Sequence, residues 1–244
     1  MILTAHQPAY LPWLGLFHKI AISDIYVFLD NVKYSKSERF TNRNTIKKPG
    51  GGHVLTIPIN TGGSDNINIF NLKINYQSNW RQKHFTTIKQ LYSKSSFGNK
   101  YIDILQGFYE KKYIYLKDLN YDMMLYFLDI LNINIKVFKA SELEISSKKN
   151  LYLIDLCNYF SCDTYIFGGL GGKYVDKKQW NEHGLYYYIQ DYEHPIYNQQ
   201  YGEFVPYLSI IDLLCNHGDE AKEILMGENI KKQGVERKVK TSNL

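Results

Sequence analysis

No uninterrupted apolar run of about 18 residues occurs in this sequence, so no bilayer-spanning helix is expected. A basic-then-apolar leader is missing as well, which makes a cytoplasmic protein the expectation. Cysteine is scarce: Cys157, Cys162 and Cys215 form an odd set with no C-x-x-C pair, which argues against a disulfide framework and against a thiolate zinc site. Buried free thiols are what remains. Cys215 lies close to His217, but residues that near on a helix point apart, so this is poor geometry for a thiol nucleophile. Neither G-x-G-x-x-G nor G-x-x-x-x-G-K-[ST] occurs, which removes the dinucleotide and P-loop signatures, and a D-x-D pair that would serve a metal-dependent glycosyltransferase is lacking. Asp191, Glu193 and His194 cluster without the spacing of a ligand set, so neither a metal nor a cofactor is expected. Charge of one sign is not in large excess. With 29 basic and 24 acidic side chains the net charge is +5, too mild for a dedicated nucleic-acid binder and compatible with an anionic small molecule.

What is present is concentrated near the start. The run from Ile2 is apolar and breaks at His6-Gln7-Pro8, as a strand does when it delivers a histidine and an amide to its C-terminal end. Pro8 and Pro12 bracket a turn, since proline fixes its own φ and biases the residue before it away from helix. Leu14, Phe17, Ile20 and Ala21 then recur at helical spacing, with His18 and Lys19 on the remaining face. After Ser23-Asp24, Ile25-Tyr26-Val27-Phe28-Leu29 has the length and β-branched and aromatic content of a buried strand and stops at Asp30. Strand, helix and strand make a βαβ unit with parallel pairing, so His6 and Asp30 both fall at the sheet edge where open α/β folds bind ligands.

A basic, amide-rich run follows, through Lys33, Lys36, Arg39, Asn42, Arg43, Asn44, Lys47 and Lys48, and closes on Gly50-Gly51-Gly52. Read as a loop beside that edge, it suits phosphate or carboxylate oxygens, because arginine offers a two-pronged donor and lysine a point charge. Basic runs are also common on solvated surfaces, and composition alone does not separate the two.

These residues resemble a known family. The run H-Q-P-x-Y-L-P-W-x-G-x-F-x-K-I at residues 6–20, then D-x-Y-V-F-L-D-x-V-x-Y and N-R-N-x-I-K, is similar to the opening of the WbqC-like family. The likeness continues through Tyr165-Ile166-Phe167-Gly168-Gly169-Leu170-Gly171-Gly172-Lys173-Tyr174 and through Phe204-Val205-Pro206-Tyr207-Leu208-Ser209-Ile210-Ile211-Asp212-Leu213-Leu214, so it spans nearly the whole chain. The resemblance implies a bacterial protein associated with lipopolysaccharide O-antigen or another surface polysaccharide. It does not by itself supply a reaction.

Further along, His53 to Ile59 and the alternating Ile67 to Ile74 read as two strands of one hairpin. Helical periodicity takes over from Trp80 and runs with breaks to Leu131. Trp80, Lys83 and His84 share a helix face that could grip a sugar phosphate, although an aromatic there is more often core. Ile135 to Phe138, Thr164 to Phe167 and Tyr186 to Ile189 complete the strands, and the second of these runs ends in Gly168-Gly169-Leu170-Gly171-Gly172, where glycine permits positive φ and close backbone approach to a ligand. Asp212 and Asn216 share a face of a helix that Ser209 is placed to cap. From Lys231 to Leu244 the chain is polar and charged and reads as a flexible tail.

The expected fold is α/β: one domain over residues 1–230, a central, mostly parallel sheet of Rossmann-like type with helices on both faces, and a helical insertion over about 80–131. The expected function is an enzyme of surface-polysaccharide synthesis, a transferase moving an acyl or aminoacyl group onto an amino sugar or sugar nucleotide. His6, Asp30 and Tyr174 are the candidates for acid, base or anchor, with His6 as general base. Gln7, Tyr10, Trp13, Lys19, Arg43, Asn44, Lys47, Gly168, Gly171 and Asp212 are the candidates to contact substrate. Partners would be a sugar nucleotide or other anionic small molecule, with an acyl or aminoacyl carrier protein as the second partner this chemistry admits. Two alternatives stand beside it. One is a nucleotidylyltransferase-like enzyme, weakened by the lack of a paired H-x-G-H. The other is a non-catalytic module that binds a sugar nucleotide or carrier in the same pathway.

Overall fold

The computed structural model describes residues 1–35, 40–63, 67–173 and 175–241. Strand β1 (Ile2–His6) is followed by helix α1 (Leu14–Ala21) and strand β2 (Ile25–Phe28). The intervening prolines hold residues 7–13 out of helix, and α1 begins only after the extended backbone of Trp13. Next come β3 (Arg43–Lys48), β4 (Gly51–Thr56), β5 (Ile59–Asn60) and β6 (Lys73–Ile74). The helical insertion is three helices, α2 (Trp80–Tyr92), α3 (Gly98–Glu110) and α4 (Leu116–Ile130). Strand β7 (Lys136–Lys139), α5 (Asn150–Tyr159), β8 (Thr164–Phe167), α6 (Lys177–Glu182) and β9 (Tyr186–Ile189) return the chain to the sheet. Helices α7 (Ile210–His217), α8 (Ala221–Met226) and α9 (Lys232–Thr241) end the described chain.

Five strands pair in the order β7-β2-β1-β8-β9, and every pairing is parallel. Counting sheet strands alone, that order is 3-2-1-4-5, the arrangement of doubly wound dinucleotide-type folds. The chain reverses direction across the sheet between β1 and β8. Alternate side chains face opposite layers, as a strand's period of two requires. Leu3, Ala5, Val27, Tyr165 and Phe167 pack with Ile154, Leu156 and Trp180 of α5 and α6, whereas Tyr26 and Phe28 pack with Phe17 of α1 and Phe127 of α4. Helices therefore cover both faces. Each Leu, Ile, Val or Phe side chain removed from water in these layers contributes about 1.5–3 kcal/mol.

Several local expectations are corrected. Residues 43–48, read as a basic loop, form a strand in an antiparallel hairpin with β4, turned at Pro49-Gly50, where Gly50 and Gly51 adopt positive φ. Lysine and asparagine depress strand propensity, but pairing with β4 and burial of Ile46 override it. The hairpin expected between the strands near 53–59 and 67–74 shrinks to a two-residue pairing of β5 with β6. Nor do residues 232–241 run out as a tail: they form α9, whose Val235 and Val239 are buried against Ile2, Ile22, Ile166 and Tyr188, while 242–244 lie outside the described residues. Two apolar residues four apart on a charged helix suffice for that docking.

Candidate functional site

The reversal point places His6 at the C-terminal end of the central strand. Thr4 lies opposite Ile166 and Gly168 follows the last residue of β8 at this same edge, while on its other side His6 pairs with Phe28. The imidazole Nδ1 lies 2.7 Å from the Gln7 carbonyl oxygen. A carbonyl can only accept, so Nδ1 carries the hydrogen and Nε2 keeps its lone pair. Burial, reinforced by the positive field of Lys19 and opposed by the Gln7 carbonyl, pulls the His6 pKa down to about 3. At neutral pH His6 is an uncharged proton acceptor with its orientation fixed. Trp13 packs edge-on against the ring, at a centroid distance of 5.3 Å, and Phe40 packs on Trp13.

Lys19 reaches from α1 to donate to the Ala5 carbonyl at 3.0 Å. Only 3% of its surface is exposed, and desolvation lowers the ammonium to about 7. Its charge therefore changes within the physiological range. Gln7, also at this edge, has a buried Oε1 with no hydrogen-bond partner among the described residues. Buried amide oxygens are rarely left unpaired, so this atom marks a place where a donor from outside the chain would be stabilised.

The loop joining β1 to α1 is held in an unusual shape. Leu11 adopts φ +44° although it precedes a proline, a conformation costing about 1–3 kcal/mol that survives only where surroundings impose it. Here Asn44 of β3 donates to the Leu11 carbonyl at 2.6 Å, and Ile210 N–H donates to the Pro12 carbonyl at 2.7 Å. Asn44 thus acts on the site by shaping this loop. Tyr10 is fully buried; its hydroxyl bonds His84 of α2 and Tyr109 of α3, and burial raises its pKa well above the usual range.

Across the edge, the glycine segment folds as a short 3-10 turn over Gly169–Lys173. None of its glycines uses positive φ, contrary to one expectation for it. What requires glycine is proximity: a Cβ on Gly171 would stand 2.8 Å from the Phe167 Cβ, and one on Gly172 2.9 Å from Ile189. Gly168 differs, because a Cβ there would meet nothing within 4 Å. Gly171 N–H donates to the Gly168 carbonyl at 2.7 Å and is not free for a ligand.

Other candidates lie elsewhere. Asp30 is buried at the end of β2, and its oxygens accept Ser141 N–H at 2.8 Å and Ser141 Oγ at 2.7 Å, fastening β2 to the turn after β7. Lys47 is buried too; its Nζ donates to Gln199 Oε1 and to the Glu203 carbonyl. Asp212, expected on a polar helix face, is wholly buried and accepts the hydroxyls of Tyr92 at 2.8 Å and Tyr197 at 2.9 Å. Tyr92 in turn accepts Lys47 N–H, so Lys47 and Asp212 belong to one interior polar cluster. Arg43 lies on β3 and is partly buried, with its own contacts. Tyr174, Lys36 and Arg39 lie outside the described residues. The cysteines are free and buried, and burial raises each thiol above its usual range, Cys162 to about 11. Among the described residues no group of three His, Cys, Asp or Glu side chains is placed to hold a metal ion. Among the described residues no helix is long and apolar enough to cross a membrane.

Sequence reasoning missed Gln190, whose Nε2 lies 2.9 Å from the Gly15 carbonyl and 2.8 Å from His18 Nδ1, and Ser141, the partner of Asp30. Gln190 follows a strand at the same sheet edge, which was the available signal.

The WbqC-like protein family matches residues 7–224. The uncharacterized protein Rv1507c of Mycobacterium tuberculosis is 29% identical over 221 residues, which cover 90% of this chain and 95% of that protein. No solved structure matches. With the family match running from the residue after His6 through α7, the chain belongs to the WbqC-like protein family.

Proposed function

We propose that this chain transfers an acyl or aminoacyl group to the amine of an amino sugar, presented as a sugar nucleotide or similar anion, in the synthesis of a bacterial surface polysaccharide. The polysaccharide context comes from the resemblance of its motifs to the family. The chemistry rests on one observation: a neutral His6 with a free Nε2 lone pair at the sheet edge where the strand order reverses and where Gly168, just past β8, has open space around it.

In this reading the amine attacks the acyl carbonyl, a C–N bond forms, and the bond to the leaving group breaks. His6 Nε2 takes the amine proton and passes it to the leaving group. A base with a pKa of about 3 is weak in the empty site; burial is the main cause and Lys19 the second, and a bound anion offsets the Lys19 part of the depression. Gly168 and Gly169 supply the backbone N–H groups nearest the developing oxyanion, since that of Gly171 is spent. Gln7 Oε1 accepts a sugar hydroxyl or amine hydrogen. A carrier protein is a compatible acyl donor. His6→Gln should abolish turnover while leaving binding of the amino-sugar nucleotide within a few-fold of wild type. Full turnover in His6→Gln would contradict the assignment.

A further inference from the structure

Two surface grooves flank α2, both away from the sheet edge. The larger, about 610 Å³, lies between β4 and the helix residues Gln82, Lys83, Thr86 and Thr87. Its strand wall has a property that hydrogen-bond parity fixes. Ile57 N–H donates to the Asn42 carbonyl, so the pair 42 and 57 is hydrogen-bonded across the hairpin. Alternation then makes 44:55, 46:53 and 48:51 the bonded pairs. Gly52, Val54 and Thr56 are left with N–H and C=O groups directed out of the hairpin.

The matching outward groups of β3 are engaged: Lys47 N–H meets the Tyr92 hydroxyl, and the Thr45 carbonyl accepts Ser209 N–H. On β4, Thr56 bonds His84. Gly52 and Val54 have no outward partner among the described residues. Val54 is 56% exposed, and no bulge, proline or charged side chain within β4 blunts this edge as usually happens on free strands.

We propose that the outer edge of β4 is a docking site for an extended, acidic segment of another polypeptide, which adds a third strand to the hairpin at Gly52 and Val54. Main-chain hydrogen bonds supply affinity in such augmentation, and the groove walls supply selectivity. Charge selects the occupant. Lys83 and His53 line the groove, and no acidic residue does. A second copy of this chain pairing through the same edge would bring like charges together, whereas glutamates alternating along an incoming strand would meet Lys83.

The test titrates the intact protein with a short blocked peptide of alternating glutamate and threonine, followed by amide-resolved NMR and hydrogen exchange. Slowed exchange at Gly52 and Val54, absent with a peptide carrying lysine in place of glutamate, is the expected result. Lys83→Glu, a change on an exposed helix surface, should weaken the response roughly tenfold, the scale of one well-placed charge pair at an interface. Val54→Pro removes the outward N–H without touching a bond inside the hairpin, and should abolish protection while β3 and β4 amides keep theirs. Unmoved Gly52 and Val54 amides at millimolar peptide would overturn the proposal. So would equal responses to both peptides, or edge protection that follows protein concentration and so reports self-pairing.

Discussion

Acid should unfold this protein earlier than its carboxylates alone require, because its interior holds neutral histidines. His18 and His84 are buried, and desolvation lowers each to about 4 from the ordinary 6.5. Their ring nitrogens are committed: His18 to Gln190 and the Ile230 carbonyl, His84 to Tyr10 and the Thr56 backbone. A depressed histidine pKa means that the unfolded chain binds the proton first as pH falls through 6.5. Stability is therefore intact above that value and is lost progressively down to about 4. One proton over two pH units is worth about 2.5 kcal/mol per histidine, so the pair removes about 5 kcal/mol by pH 4.5. That is a large part of ordinary domain stability. Asp212, whose pKa burial raises, acts in the opposite sense, so wild type must be compared with a variant. Urea unfolding at pH 7 and pH 4.5, on wild type and His84→Gln, isolates one histidine. The variant should lose about 2.5 kcal/mol less between the two pH values. Equal losses would refute the assignment of a buried neutral imidazole.

Asp212→Ala strands the Tyr92 and Tyr197 hydroxyls in the interior and should cost about 3 kcal/mol in denaturant unfolding, with Asp212→Asn costing less. Gly171→Ala drives a methyl into Phe167 and should destabilise by about 1–3 kcal/mol. Gly168→Ala meets nothing and should leave the urea midpoint within experimental error while weakening ligand binding. Anion binding should also weaken as pH rises through about 7, where Lys19 loses its charge, and Lys19→Met should flatten that dependence. A binding isotherm at several pH values reads this directly.

The βαβ start was legible because β1, α1 and β2 each carry a clean period, and prolines mark the turn between them. From that unit alone, His6 could be placed at the C-terminal edge of the sheet. The strand order was not legible, since adjacency of β1 and β8 is a contact between residues 162 positions apart that no local period encodes. Residues 43–48 misled for a related reason: Lys47 and Asn44 look like surface side chains until Glu203 and Leu11 arrive from elsewhere to satisfy them. Asp212 shows the same limit. A carboxylate in an apolar helix reads as a pocket residue, and only Tyr92 and Tyr197, 120 and 15 positions away, turn it into a core group. The glycine segment was recognised, but positive φ, one of the two reasons read for it, is not used, and side-chain proximity calls for glycine at Gly171 and Gly172.

The most direct test of the central claim, that the His6–Gly168 edge holds an anionic amino sugar, is thermal stabilisation by UDP- and dTDP-amino sugars. Wild type, Arg43→Ala, Gly168→Ala and His6→Gln would be compared. The account predicts stabilisation of wild type, its retention in His6→Gln and its loss in Gly168→Ala, whose methyl fills the space the ligand needs. Arg43→Ala reports whether β3 reaches the same ligand. Stabilisation of Gly168→Ala equal to wild type, or no stabilisation by any of these nucleotides, would contradict the account.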